Sequence, residues 1–180
     1  MDQKVQNTDE SRDDLGFLAL LAPEIRGSFT AAGWSHPPVW HEKSRKLDLV
    51  LSSPAPLPFQ AYEALLTALR LRFHCSVDLK VEAEDPKADL SLLDSYISWL
   101  VSTRRDLAAF QSVHPWFSED TIWFSTRDEE KHAQMMHARK ALVEALAACG
   151  FACEPGVKLE TETRPDVETN VLDLPEPVRE

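Results

Sequence analysis

Between residues 46 and 52, Leu47, Leu49 and Leu51 alternate with Asp48, Val50 and Ser52. This is the period-two pattern of a strand with one buried face. Pro54, Pro56 and Pro58 end it, because proline fixes φ and cannot donate to a ladder. Phe59, Tyr62, Leu65, Leu66, Leu69 and Phe73 then recur at spacings of three and four, which places them on one face of a helix. A second alternation follows, with Val77, Leu79, Val81 and Ala83 on one side and Asp78, Lys80, Glu82 and Glu84 on the other. Residues 43–86 therefore read as strand, helix, strand, and the rest of the chain is organised around them.

Upstream, residues 15–21 (LGFLALL) predict a short apolar helix that Pro23 interrupts. Residues 25–38 carry turn chemistry in Gly27, Gly33, Pro37 and Pro38, with Phe29 and Trp34 as anchors. Residues 39–42 predict a strand forming a hairpin with 46–52, its turn at 43–45. Downstream, Asp89 is a candidate N-cap for a helix carrying Leu93, Tyr96, Ile97, Leu100 and Val101 on one face. Residues 103–105 bring charge, and Leu107 and Phe110 mean that this helix either continues or restarts beyond them. Residues 114–118 hold an aromatic corner, Pro115–Trp116–Phe117. Residues 121–126 (TIWFST) are β-branched and aromatic, a short strand in which Ile122 and Phe124 face one way and Trp123 the other. Asp128 starts a helix with Met135, Ala138, Leu142, Ala145, Leu146 and Cys149 in one stripe, and Gly150 stands at its C-terminal end. Residues 157–163 supply the closing strand.

The predicted fold class is α+β: two small domains, 15–85 and 86–163, each a small sheet covered by helices. Both repeat the order strand, helix, strand at an offset of about 75 to 80 positions, by duplication or by convergence on a common packing unit. Residues 1–14 are polar without apolar period and predict a disordered N-terminus. Residues 164–180 combine Asp166, Glu168, Asp173, Glu176 and Glu180 with Pro165, Pro175 and Pro177, an acidic, proline-containing linker or tail.

Composition narrows the function. An apolar fraction of 43% suffices for a core, and a net charge of −11 argues against a general nucleic-acid binder, whose surface is built from clustered Lys and Arg. The apolar run at 17–22 is far short of the ~20 residues that span a bilayer, so no membrane partner is expected. The acidic start has no secretory signal, and Cys75, Cys149 and Cys153 have no disulfide-framework spacing; the expected location is cytoplasmic.

Candidate chemistry is sparse. His132 and His137 are five apart, diverge by about 140° around a helix and cannot share a ligand face. No metal or cofactor is therefore assigned. There is no G-x-S-x-G elbow, no P-loop and no dinucleotide fingerprint, and no catalytic residue is assigned. Trp116, Phe117 and Trp123 are candidate anchors for a protein partner, since one strand face here can remain exposed. Lys43, Arg45 and Lys46 at one turn, and Arg104 and Arg105 on a helix, are candidate nucleic-acid contacts. The helix, strand, helix, strand order of the second unit resembles part of a KH layout. A KH domain clamps the sugar-phosphate backbone with a G-x-x-G loop, and this chain has none.

Several short segments carry a family resemblance: SRK at 44–46 leading into a strand, LPF at 57–59 opening a helix with Tyr62 behind it, and EDP at 84–86 ending a strand. LLDSY at 92–96, Gly150–Phe151 after a long helix and KLETET at 158–163 extend it. From about Leu15 to Thr163 the chain resembles the N-terminal region of PolC-type DNA polymerase III, the large replicative polymerase of low-GC Gram-positive bacteria. The resemblance implies two non-catalytic N-terminal domains, the second KH-like. It also implies docking to a replisome protein, the tau subunit of the clamp loader, with weak DNA contact as a lesser role. The full-length enzyme it resembles is a DNA-directed DNA polymerase with a 3'-5' exonuclease, in which a charged linker, an OB-type domain, the exonuclease and the polymerase follow. None of those is in this chain, which reads as a fragment or an unusually short relative, the fragment being favoured. The alternative function is a single-stranded nucleic-acid-binding KH-like module.

Overall fold

The computed structural model describes residues 18–87, 89–118 and 121–161. The readings of 1–14 as disordered and of 164–180 as a linker fall outside those residues. The architecture is α+β, with two small sheets and helices packed on them.

The first sheet is centred on β3 (Lys46–Ser53). Two short strands, β1 (Gly33–Trp34) and β2 (Val39–His41), pair antiparallel with opposite ends of it along one edge. On the other edge β4 (Ser76–Ala83) runs parallel to β3, with Leu47 opposite Val77, Leu49 opposite Leu79 and Leu51 opposite Val81. The alternation read from the sequence is thus the burial pattern: these six side chains point into the core. α2 (Phe59–Phe73) connects the parallel pair, as a parallel connection requires. It buries Ala61, Tyr62, Leu65, Leu66 and Leu69.

Pro23 does not interrupt a helix here. It opens one, α1 (Pro23–Arg26), since a missing N–H costs nothing in the first turn. Leu18 to Leu20 have 3-10 backbone, while residues 15–17 of the predicted helix lie outside the described residues.

The second sheet repeats the arrangement. β5 (Trp116–Ser118) lies antiparallel to β6 (Thr121–Thr126), and β7 (Gly156–Leu159) lies parallel to β6 on the other side. α4 (Glu129–Ala148) makes the crossover. The stretch read as an aromatic corner is thus an edge strand: its residues alternate, and three cross-strand pairs suffice to hold it. The closing strand is Gly156–Leu159, shorter than the predicted 157–163, of which 162 and 163 lie outside the described residues. Hairpin, helix and parallel strand occur in the same order in both units, β2–β3–α2–β4 and β5–β6–α4–β7.

α3 (Leu90–Thr103) joins the units. Asp89 caps it by accepting from the Ser91 amide at 3.1 Å, and Asp128 caps α4 by accepting from the Glu130 and Lys131 amides. Beyond α3 the chain breaks at Arg104, in extended backbone, and restarts as a 3-10 helix over Arg105–Phe110.

One hydrophobic core runs through both units without a break. Tyr96 of α3 is its hinge point. Fully buried, it sits edge-on to Phe151 at 4.9 Å and to Phe59 at 5.2 Å, and tilted against Tyr62 at 5.4 Å. Its hydroxyl donates to the Leu57 carbonyl at 2.8 Å, and that of Tyr62 donates to the Leu79 carbonyl at 3.1 Å. Burial raises both phenols well above the ordinary tyrosine range and pushes the neighbouring Cys149 thiol up to about 12. These groups stay neutral and structural. Gly150, at φ +95°, lets the chain turn from α4 into this seam, where a Cβ would lie 3.3 Å from Val81.

Candidate partner-binding surface

α2 carries more apolar side chains than its sheet can cover. The buried stripe faces β3 and β4, but Leu71 is 68% exposed and Phe73 is 53% exposed. Phe73 belongs to the predicted buried face by spacing. Here it forms part of the wall of an open cleft, with Trp34 of β1 and Trp40 of β2 also lining it. Leu71, off the stripe, was the visible sequence signal of a second apolar face.

Each flank of the helix is a groove. On one side Ala64, Ala68 and Leu71 face Leu20, Leu21 and Ile25 across an apolar groove of about 700 Å³. On the other, Leu69 and Phe73 share a cleft of about 550 Å³ with Trp34, Pro38 and Trp40, and Leu47 and Leu49 of β3 also line it. Trp40, on the edge strand β2, is half exposed. Large apolar groups gathered in the open are the composition of an interface centre. Sequence reasoning placed no site on Leu71, Phe73 or Trp40, because their exposure depends on which distant segments pack beside them.

The three predicted aromatic anchors separate. Trp116 and Trp123 are cross-strand partners and stack at 5.8 Å with an interplanar angle of 19° on the face of the second sheet away from α4. Trp123 lies over Gly156, where a Cβ would fall 2.4 Å from the ring. Phe117, one residue on, turns to the other face and packs against the core with Ile122 and Phe124.

The predicted nucleic-acid contacts separate as well. Lys46 is engaged with Asp48 at 3.0 Å and Asp78 at 3.1 Å. Arg104 forms a two-pronged pair with Asp106. Lys43, Arg45 and Arg105 are exposed. Burial alone would raise the Asp48 carboxyl, but the Lys46 ammonium beside it and a hydrogen bond from His41 at 2.7 Å outweigh it and hold it below the ordinary carboxylate range. Those same carboxylates raise Lys46. The Asp48 contribution to stability is thus present above the unfolded carboxylate pKa and fades as pH falls through the lower folded value. The Lys46 contribution is lost only as pH rises through its raised value. Since both groups are over a third exposed, Lys46→Ala is expected to cost no more than about 1 kcal/mol at neutral pH and nothing measurable in acid. Urea midpoints at the two pH values check this.

Among the described residues no three His, Cys, Asp or Glu side chains gather closely enough to hold a metal ion, and no helix is long and apolar enough to cross a membrane. Compared with known protein families, with curated proteins and with solved structures, the chain finds no match.

Proposed function

We propose that this chain is a non-catalytic, cytoplasmic protein-interaction region of a PolC-type replicative polymerase, and that its partner is the tau subunit of the clamp loader. The observation that carries the docking reading is the pair of open apolar grooves on the two flanks of α2. Burying Leu71, Phe73 and Trp40 in a complex removes apolar surface that the isolated chain leaves in water, at about 25 cal/mol per Å². The choice of tau comes from the sequence resemblance: its SRK, LPF and LLDSY segments lie at the start of β3, at the start of α2 and within α3.

The balance of charge supports a protein partner over a polynucleotide. The net charge is −11, and two of the five candidate basic contacts, Lys46 and Arg104, already hold carboxylates. Three unpaired cysteines, one fully buried, suit a reducing compartment.

Titration of the full chain with purified tau is expected to show binding at or below tens of micromolar. Leu71→Asp, at an exposed position, should weaken it at least about tenfold while leaving the fold intact, since a charge must then be buried on docking. Absence of binding at tens of micromolar would overturn the assignment of tau. Salt-sensitive binding of an oligonucleotide in its place would favour the nucleic-acid module.

A further inference from the structure

The cleft that holds Trp34, Trp40 and Phe73 adjoins a basic one. Leu69 and Phe73 line the apolar cleft, and the residue after each, Arg70 and His74, lines a second cleft of about 520 Å³ with Ser44, Arg45 and Ser76. The corner is braced: Arg45 closes the β2–β3 turn and His74 ends α2, both in left-handed backbone at φ 49° and 50°. The Ser76 amide donates to the Arg45 carbonyl at 3.2 Å and ties the turn to the start of β4.

Among the described residues no acidic side chain lines this cleft. Among the described residues neither Arg45 nor Arg70 stands within ion-pair distance of a carboxylate, whereas Lys46, next in sequence, is committed to two. Arg70 and Arg72 complement the carbonyl end of α2, as basic residues in a last helical turn do. That explanation does not reach Arg45, which comes from a different element. In a chain of net charge −11, cations that pair with no described carboxylate beside an open aromatic cleft make a two-part surface, apolar on one side and anion-seeking on the other.

We infer that this corner receives an acidic peptide segment with one large apolar or aromatic side chain, the anchor entering between Trp40 and Phe73 and its neighbouring carboxylates meeting Arg45 and Arg70. The inference rests on the protein-docking reading above and adds the chemistry of the partner. A peptide suits the corner better than a polynucleotide. Its walls include Leu47, Leu49, Leu69 and Pro38, which fit an aliphatic or aromatic side chain, and successive phosphates would run on into an acidic molecule.

The test uses the full chain and short fluorescein-labelled peptides carrying a single Leu, Phe or Trp flanked by Asp and Glu. Counterparts are flanked by Asn and Gln, or have the anchor replaced by Ala, and oligo(dT) serves as a further probe. Anisotropy titrations should show the acidic anchored peptides binding at least about tenfold tighter than their amide or alanine counterparts. The double change Arg45→Gln and Arg70→Gln, both at exposed positions, should remove the preference for acid while leaving circular dichroism unchanged. Trp40→Ala should weaken every anchored peptide.

Equal binding of acidic and amide peptides would overturn this inference and leave the docking reading standing. So would a double variant that keeps the acid preference. Binding of tau with no anchored peptide bound would remove this corner as a docking site, and tighter binding of oligo(dT) than of any peptide would overturn both readings.

Discussion

Tyr96→Ala is expected to destabilise the whole chain by about 3–5 kcal/mol, the cost of a large cavity at a fully buried aromatic. The removed ring touches Phe59 and Tyr62 of the first unit and Phe151 of the second, so the loss is shared across the seam. The variant also strips the Leu57 carbonyl of its donor in a place that water does not reach. Tyr96→Phe isolates that part: it keeps the ring contacts and should cost about 1–3 kcal/mol, the penalty of one buried polar group left unpaired. Since domains this size hold only about 5–15 kcal/mol in all, the alanine variant is expected near its unfolding midpoint in dilute denaturant. Urea melts read by tryptophan fluorescence and by circular dichroism check the claim. The wild-type chain should melt in one transition by both probes, because one core serves both sheets. Two separated transitions, with Tyr96→Ala shifting only one of them, would show that the seam does not couple the units.

The second large effect is expected at Gly156. A methyl group there would lie 2.4 and 2.5 Å from ring atoms of Trp123, well inside contact distance. Gly156→Ala therefore forces the indole to move, and Trp116, stacked on it, loses its partner. The cost should be about 1–3 kcal/mol, the range for inserting a methylene where there is no room. The readout that distinguishes this from ordinary strand weakening is the near-ultraviolet circular dichroism of the coupled indoles. That signal should collapse in Gly156→Ala, and in Trp116→Ala too, with little effect on the melting midpoint in the latter because Trp116 is an exposed edge residue. An unaltered aromatic spectrum in Gly156→Ala would mean that the ring does not rest on this glycine.

These two positions differ in how visible they are beforehand. Tyr96 lies on a helical stripe with Leu93, Ile97 and Leu100, so its burial follows from spacing alone. What it touches does not, because Phe59, Tyr62 and Phe151 come from distant parts of the chain. Gly156 looks like any loop glycine. Its role exists only because β7 lies beside β6 in a register that puts it opposite Trp123.

By itself the sequence determined the elements and their inward faces. Alternation over six to eight residues specifies a strand and its buried side, three-four spacing specifies α2, α3 and α4, and Asp89 and Asp128 mark where two of the helices begin. These are local properties, set within a few residues by backbone geometry and by which side chains avoid water. Only the tertiary structure decided the rest. The edge strands β1 and β5 are too short to be read as strands in advance and exist because a longer neighbour offers them hydrogen bonds. Lys46 gains a second carboxylate only because Asp78 arrives from another strand, whereas Arg45, its neighbour in sequence, pairs with none among the described residues. The grooves beside α2 are lined by residues from separate segments of the chain, and a groove is a property of the assembled shape that no single segment contains.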